Sequence, residues 1–221
     1  SESQLATTGG KHGWEISEKF FKNVSKFLFA DGGILFLFSS LTGKDKINQI
    51  IKENLFEAEE LGNEELPLHE KLYVYKVTKG KLLRKLESKL LENVSYLTHG
   101  KRGDIFTGYL DKSKLIKTHL PSKKDVVKVA IKVEREESKA QGRISNEIYW
   151  LRRLNKEVVG PRLLFFDTEF GIPYLVYEFV EGEEILDWIK HENKETIREV
   201  LLAVLQQCYV MDQIGVNKEE M

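Results

Sequence analysis

Residues Ile34-Leu35-Phe36-Leu37-Phe38 follow one another without a polar side chain, and no other stretch limits the possible folds as tightly. Successive side chains of a strand point to opposite faces. An unbroken apolar run therefore asks for cover on both faces, as the strands of a parallel sheet have. The wider stretch Gly33 to Leu41 is far too short to span a bilayer. The expectation is a layered α/β arrangement with helices on both sides of a sheet. The length suffices, because a chain of 221 residues can bury roughly 70% of its unfolded surface.

Neighbouring elements fit that reading. From Glu15 to Phe29, Ile16, Phe20, Val24 and Phe27 fall at helical spacing with Phe21 and Leu28 beside them, which predicts one buried face. Asp31-Gly32-Gly33 ends that helix. A second helix over Lys44 to Asn54 buries Ile47, Ile50 and Ile51, and strands follow at Phe56 to Leu61 and Leu72 to Val77, ending in a hairpin-like pair. Lys79 to Glu92 is rich in Lys, Leu and Glu, with Leu82, Leu83, Leu86, Leu90 and Leu91 at helical spacing. It reads as a connecting helix, which gives domains over 1–80 and 93–221 joined by 81–92. Beyond it come strands between Val94 and Glu134, a helix over Lys139 to Leu154, strands near Leu163 and Tyr174, and helices near Glu184 and over Glu195 to Gln213.

Composition excludes several classes. Hydrophobic residues make up 41% and charged ones 31%, with 34 Lys and Arg against 35 Asp and Glu, so the signature of disorder is missing. The net charge of −1 supplies no global basic field, and no direct nucleic-acid partner is expected. Cys208 is the single cysteine and nothing resembles a signal peptide, so a cytoplasmic setting without a membrane partner is expected. His12, His69, His99, His119 and His191 lack metal-ligand spacing, and no metal site is expected.

Three features in the second segment gain weight from their order. Leu97-Thr98-His99-Gly100-Lys101-Arg102-Gly103-Asp104-Ile105 sets two glycines between strands. Glycines let backbone amides approach phosphate oxygens, although an ordinary hairpin turn explains them as well. Period two in Val126 to Glu134 puts Val127, Val129, Ile131 and Val133 on one face and Lys128, Ala130 and Lys132 on the other. A small residue two positions before a lysine leaves room for a flat ring while the ammonium reaches phosphates. A solvated edge lysine is the plainer alternative. In the next helix Ile144, Ile148, Leu151 and Leu154 form the buried stripe and Glu147 flanks it. Glu147 is placed either to orient Lys132 or to pair with Arg143 one turn back.

Together with Tyr174-Leu175-Val176-Tyr177-Glu178-Phe179-Val180-Glu181-Gly182, these features resemble a protein-kinase amino-terminal lobe, and more closely the archaeal predicted serine/threonine kinases. The resemblance runs from about Asn93 to the last residue. It implies that Gly100 and Gly103 belong to a phosphate-covering loop, with Thr98 where the first glycine usually stands. It makes Lys132 the phosphate lysine and Glu147 its helix partner. It has Ala130 under the adenine, Tyr177 at the back of the pocket, and Glu178 and Val180 presenting hinge backbone. The implied cofactor and partner is ATP, with magnesium in a complete kinase, and the implied substrate is a protein such as a translation factor. No His-Arg-Asp segment, catalytic Asn or Asp-Phe-Gly follows Thr196 to Ile214, so the expected activity of these residues is nucleotide binding without turnover. Asp187 and Asp212 read as surface or capping carboxylates.

The first segment, through Leu5-Ala6-Thr7-Thr8-Gly9-Gly10-Lys11-His12-Gly13-Trp14, Ala30-Asp31-Gly32-Gly33, Ser39-Ser40-Leu41-Thr42-Gly43 and Glu70-Lys71-Leu72-Tyr73-Val74-Tyr75, resembles the carboxy-terminal part of an archaeal HemK-like, release-factor-type methyltransferase. That resemblance implies the end of a class I methyltransferase sheet whose cofactor is S-adenosylmethionine. The glycine turn and the Asn-Pro-Pro-Tyr loop that serve such enzymes do not occur in these residues. Thr8 to Lys11 and Ser39 to Thr42 either line a cleft or simply turn the chain. The combined expectation is α/β and α+β: a methyltransferase-like sheet followed by a kinase-like lobe, the whole a bifunctional transferase. The alternatives are a methyltransferase with an accessory domain and a non-catalytic, pseudokinase-like module that binds nucleotide or protein.

Overall fold

The computed structural model describes residues 12–100, 103–111, 126–134, 142–169 and 171–216. Thr8 to Lys11, Lys101, Arg102, His119, Lys139 to Gln141 and the side chain of Arg143, all singled out above, lie outside them. In chain order the elements are α1 (Glu15–Val24), β1 (Gly33–Ser39), α2 (Lys44–Glu53), β2 (Phe56–Glu65), β3 (Lys71–Lys79), α3 (Lys81–Ser88), β4 (Leu91–Gly100), β5 (Gly103–Asp111), β6 (Val126–Val133), α4 (Arg143–Leu154), β7 (Leu163–Asp167), β8 (Tyr174–Glu178), α5 (Ile185–Trp188) and α6 (Lys194–Gln213). They form a three-stranded sheet ordered β1-β3-β2 and a five-stranded sheet ordered β4-β5-β6-β8-β7, so the fold is mixed α and β. Two compact units result: Ser1–Leu97 with Phe106–Val127, and Thr98–Ile105 with Lys128–Met221. Among the described residues no helix is long and apolar enough to cross a membrane.

In the first unit both strand pairings are antiparallel, which corrects the parallel sheet expected from the apolar run. One face of β1 is covered and the other is open: Phe38 is buried, whereas Leu35 is 75% and Leu37 60% exposed. Sequence alone cannot separate an apolar residue that is covered from one that is not. The covered face carries a chain of aromatic rings, in which Phe21 of α1 meets Phe36 at 5.1 Å and Phe56 at 5.7 Å, and Phe38 meets Tyr75 edge-on at 4.9 Å. Edge-to-face pairs of this kind add to simple area burial.

That ring contact also overturns the stripe expected for α1. Phe21 is the helix residue that is fully buried, while Ile16, Phe20 and Phe27 remain exposed. The α2 stripe of Ile47, Ile50 and Ile51 is buried as expected.

The connecting helix is shorter than its composition suggests. Lys79 closes β3, opposite Phe56. Leu90 takes a left-handed backbone conformation, costly for a side chain with a Cβ, and turns the chain out of α3 into β4, within which Asn93 has a second positive φ. Leu83 and Leu86 are buried, and so is Leu91 as the first residue of β4. Lys79, itself buried, pairs with Glu87 of α3 at 2.6 Å and ties the helix back to the strand before it.

In the second unit β8 pairs antiparallel with β6 on one side and β7 on the other. Ala130 stands opposite Tyr177 and Lys132 opposite Leu175. Partners opposite one another share a face, so these four side chains lie on the same side of the sheet. Ile144, Ile148 and Leu151 of α4 cluster with Leu175, and Leu163 and Tyr177 pack against them. The predicted α4 stripe is therefore the one that is buried. Asn155 fixes the return from α4 to β7: its amide donates to the carbonyls of Val159 and Pro161, and its oxygen accepts from the Leu163 N–H.

Truncating Phe21 to Ala removes the ring that joins α1 to the sheet and is expected to cost about 3–5 kcal/mol in urea unfolding. Leu35→Thr on the open face is expected to stay within about 0.5 kcal/mol.

Candidate functional site

The site is built on β6, whose alternation holds as predicted. Val129, Ile131 and Val133 are buried on one face, and Ala130 is buried on the other beside Lys132, which keeps some solvent access. The ammonium of Lys132 donates to Glu147 Oε2 in an ion pair, with the side chains 18% and 22% exposed. A lysine held against a carboxylate and still wet at one side can meet an anion without first being dragged out of a core. Lys128, on the same face of β6, is held by a different group: its ammonium lies 3.1 Å from Glu181 and 4.0 Å from the centre of the Phe179 ring.

The two glycines stand at the ends of facing strands, Gly100 closing β4 and Gly103 opening β5. Gly103 has a packing reason of its own. A Cβ built there would fall inside contact distance of the Val133 carbonyl oxygen, with Lys132 Cγ at 3.8 Å. The absence of a side chain at 103 lets the strand end lie directly against the part of β6 that carries Lys132. Sequence spacing marks both glycines, but the close approach to Val133 is set by pairing and is invisible in it.

Beyond β8 the pairing with β6 runs one residue further, because the Phe179 N–H donates to the Lys128 carbonyl at 3.0 Å. The Glu178 N–H donates to the Arg162 carbonyl at 2.9 Å. Val180 is the first residue past these bonds and is 72% exposed. Tyr177 belongs to the core cluster under α4. Burial pushes its phenol above the ordinary tyrosine range, and the charge of Glu147 pushes it the same way.

Other candidates have local roles. Asp187 pairs with Lys190 at 2.6 Å on the surface of α5. The Ser39 hydroxyl donates to Glu70 and accepts from the Leu41 N–H, and the Ser40 hydroxyl accepts from the Lys71 N–H. Those serines join the end of β1 to the start of β3, which is the turn reading of that loop. Among the described residues no three His, Cys, Asp or Glu gather so as to hold a metal ion. Sequence reading passed over Arg152, Arg153 and Lys156, whose only signal was a basic last turn, itself a common accompaniment of the helix dipole. No family model matches this chain, and no curated protein matches it.

Two expectations follow. Gly103→Ala forces backbone apart and is expected to cost about 1–3 kcal/mol by chemical unfolding. Tyr177, whose folded value is raised, contributes stability that is present below the ordinary tyrosine pKa near 10 and is lost as the pH climbs through the folded value. Glu147→Gln is expected to bring that ionisation to lower pH in an alkaline absorbance titration, and Tyr177→Phe to reduce the alkaline loss of stability.

Proposed function

We propose that the second unit is the nucleotide-binding lobe of a serine/threonine-kinase-like protein and that ATP is its ligand. The observation that carries this reading is the Lys132–Glu147 pair on the same sheet face as Ala130. In that reading Lys132 holds the α- and β-phosphates, and Glu147 keeps its ammonium aimed along the face. Gly100 and Gly103 bring backbone to the phosphates, Ala130 lies under the adenine, and the hinge backbone of Glu178 and Val180 meets the adenine edge. Strand pairing that ends at Phe179 supports the last assignment, since Val180 then offers the first backbone beyond the sheet. ATP brings the transferable phosphoryl group, with magnesium to neutralise it in a complete kinase. These residues bind and orient; they include no base for the transfer.

For the first unit we propose kinship with the carboxy-terminal part of a methyltransferase. Support comes from the sheet, where the last strand, β3, lies between β1 and β2. The hydroxyls of Ser39 and Ser40 are already engaged with Glu70 and Lys71, so no contact with S-adenosylmethionine is assigned to them. A cytoplasmic protein substrate, such as a translation factor, fits a kinase-like lobe of this composition.

The test is an NMR titration with ATP. Lys132→Ala removes the cation aimed at the phosphates and is expected to cost about 1.5–3 kcal/mol of binding, the range of hydrogen bonds to charged groups. Lys128→Ala, which releases only Glu181 and the Phe179 ring, is expected to cost much less. Equal losses from the two would reduce Lys132 to a strand-surface residue.

A further inference from the structure

Within the second unit, α4, the turn after it and β7 border an open surface groove of about 370 Å³ lined by Ile148, Tyr149, Arg152, Arg153, Lys156 and Phe166. Successive helix residues turn by 100°, so Ile148 and Arg152 run along one ridge of α4 with Tyr149 and Arg153 beside it, and Lys156 follows in the turn just past the helix end. Glu147 lies roughly opposite. Phe166 stands opposite Leu175 and so shares the sheet face of Lys132; α4 packs over that face with Glu147 on one flank and the groove on the other, and nothing below depends on nucleotide binding.

Its chemistry is one-sided. Three cations border it and no carboxylate lines it, and no described residue forms an ion pair with Arg152, Arg153 or Lys156. Instead the guanidiniums rest on rings. Arg152 lies 6.0 Å from the centre of the Phe166 ring and Arg153 5.4 Å from that of Tyr149, to whose hydroxyl it also donates. Those stacks hold the cations in place while leaving their remaining donors turned to solvent, and Arg so presented suits planar carboxylates. Phe166 is 40% and Tyr149 52% exposed, so the floor keeps open apolar surface of a size that admits a single large side chain. The Asn155 bonds fix the return from α4 to the first residue of β7.

We propose that this groove docks an acidic peptide segment of a partner protein: an apolar or aromatic side chain between carboxylates, the side chain seated on Phe166 and Tyr149 and the carboxylates on Arg152, Arg153 and Lys156. Charge complementarity selects the occupant. A nucleic-acid strand fits less well, since three cations at one short pocket do not track a phosphate backbone and the chain has no net positive field to hold one.

The test is fluorescence anisotropy with the full 221-residue chain and a short labelled peptide of glutamates around one Phe. Saturable binding that weakens with added salt is expected, with no binding of the same peptide carrying Lys for Glu. The double variant Arg152→Glu, Lys156→Glu is expected to weaken binding about tenfold or more, and Phe166→Ser likewise, with Lys190→Glu elsewhere on the unit unchanged. Because Arg152 and Lys156 are exposed, circular dichroism is expected to show the double variant folded. Equal binding of both peptides, wild-type binding by the folded double variant, or displacement of the acidic peptide by a single-stranded RNA that binds more tightly would overturn the proposal.

Discussion

The second unit hangs on the register between β6 and β8. With Ala130 opposite Tyr177 and Lys132 opposite Leu175, one face presents a small residue, a cation, a leucine and a tyrosine, and the apolar stripe of α4 seats on the last two. Glu147 reaches Lys132 because that seating is fixed. A slip of one residue would turn Lys132 to the opposite face, break the pair and leave Leu175 without Ile144, Ile148 and Leu151. The pair is therefore a product of packing, and Gly103 adds a second constraint by letting the start of β5 close on Val133.

This explains which parts of the protein could be read from its residues. The alternation of β6 and the stripe of α4 are local periods, each fixed by a single element's geometry, and both hold. The burial of α1 is not local. Ile16, Phe20 and Phe27 fall at helical spacing as well as Phe21 does; Phe20 stacks on Phe36 from the rim at 6.4 Å, whereas Phe21 reaches both Phe36 and Phe56 on distant strands and is the one buried between them. The same limit applies to β1. Its unbroken apolar run specifies a strand, but which face receives α1 and α2 depends on the antiparallel pairing to β3, and Leu35 and Leu37 are left on the open side. The ends of α3 were hidden for a related reason, since Lys79 continues the β3 ladder and the left-handed turn at Leu90 carries no glycine to announce it.

An ion pair between a strand lysine and a helix glutamate is not by itself a sign of a site. Two stand among the described residues. Lys79 pairs with Glu87 across β3 and α3, and Lys132 with Glu147 across β6 and α4. The difference lies in what surrounds them. The Lys79 side chain is 4% exposed, closed in by the strand ladder and by the helix that follows it directly, so an incoming anion would have to displace packed structure. Its attraction to Glu87 offsets the cost of desolvating two charges, and its role is to close α3 onto β3. Lys132 is 18% exposed, has the small Ala130 two residues before it on the same face, and has Gly103 close by, whose missing Cβ lets the start of β5 pack directly on Val133. An anion arriving there can share the ammonium with Glu147 at little structural cost. What separates a structural lysine from a ligand-binding one here is access, and access is set by neighbours that lack bulk.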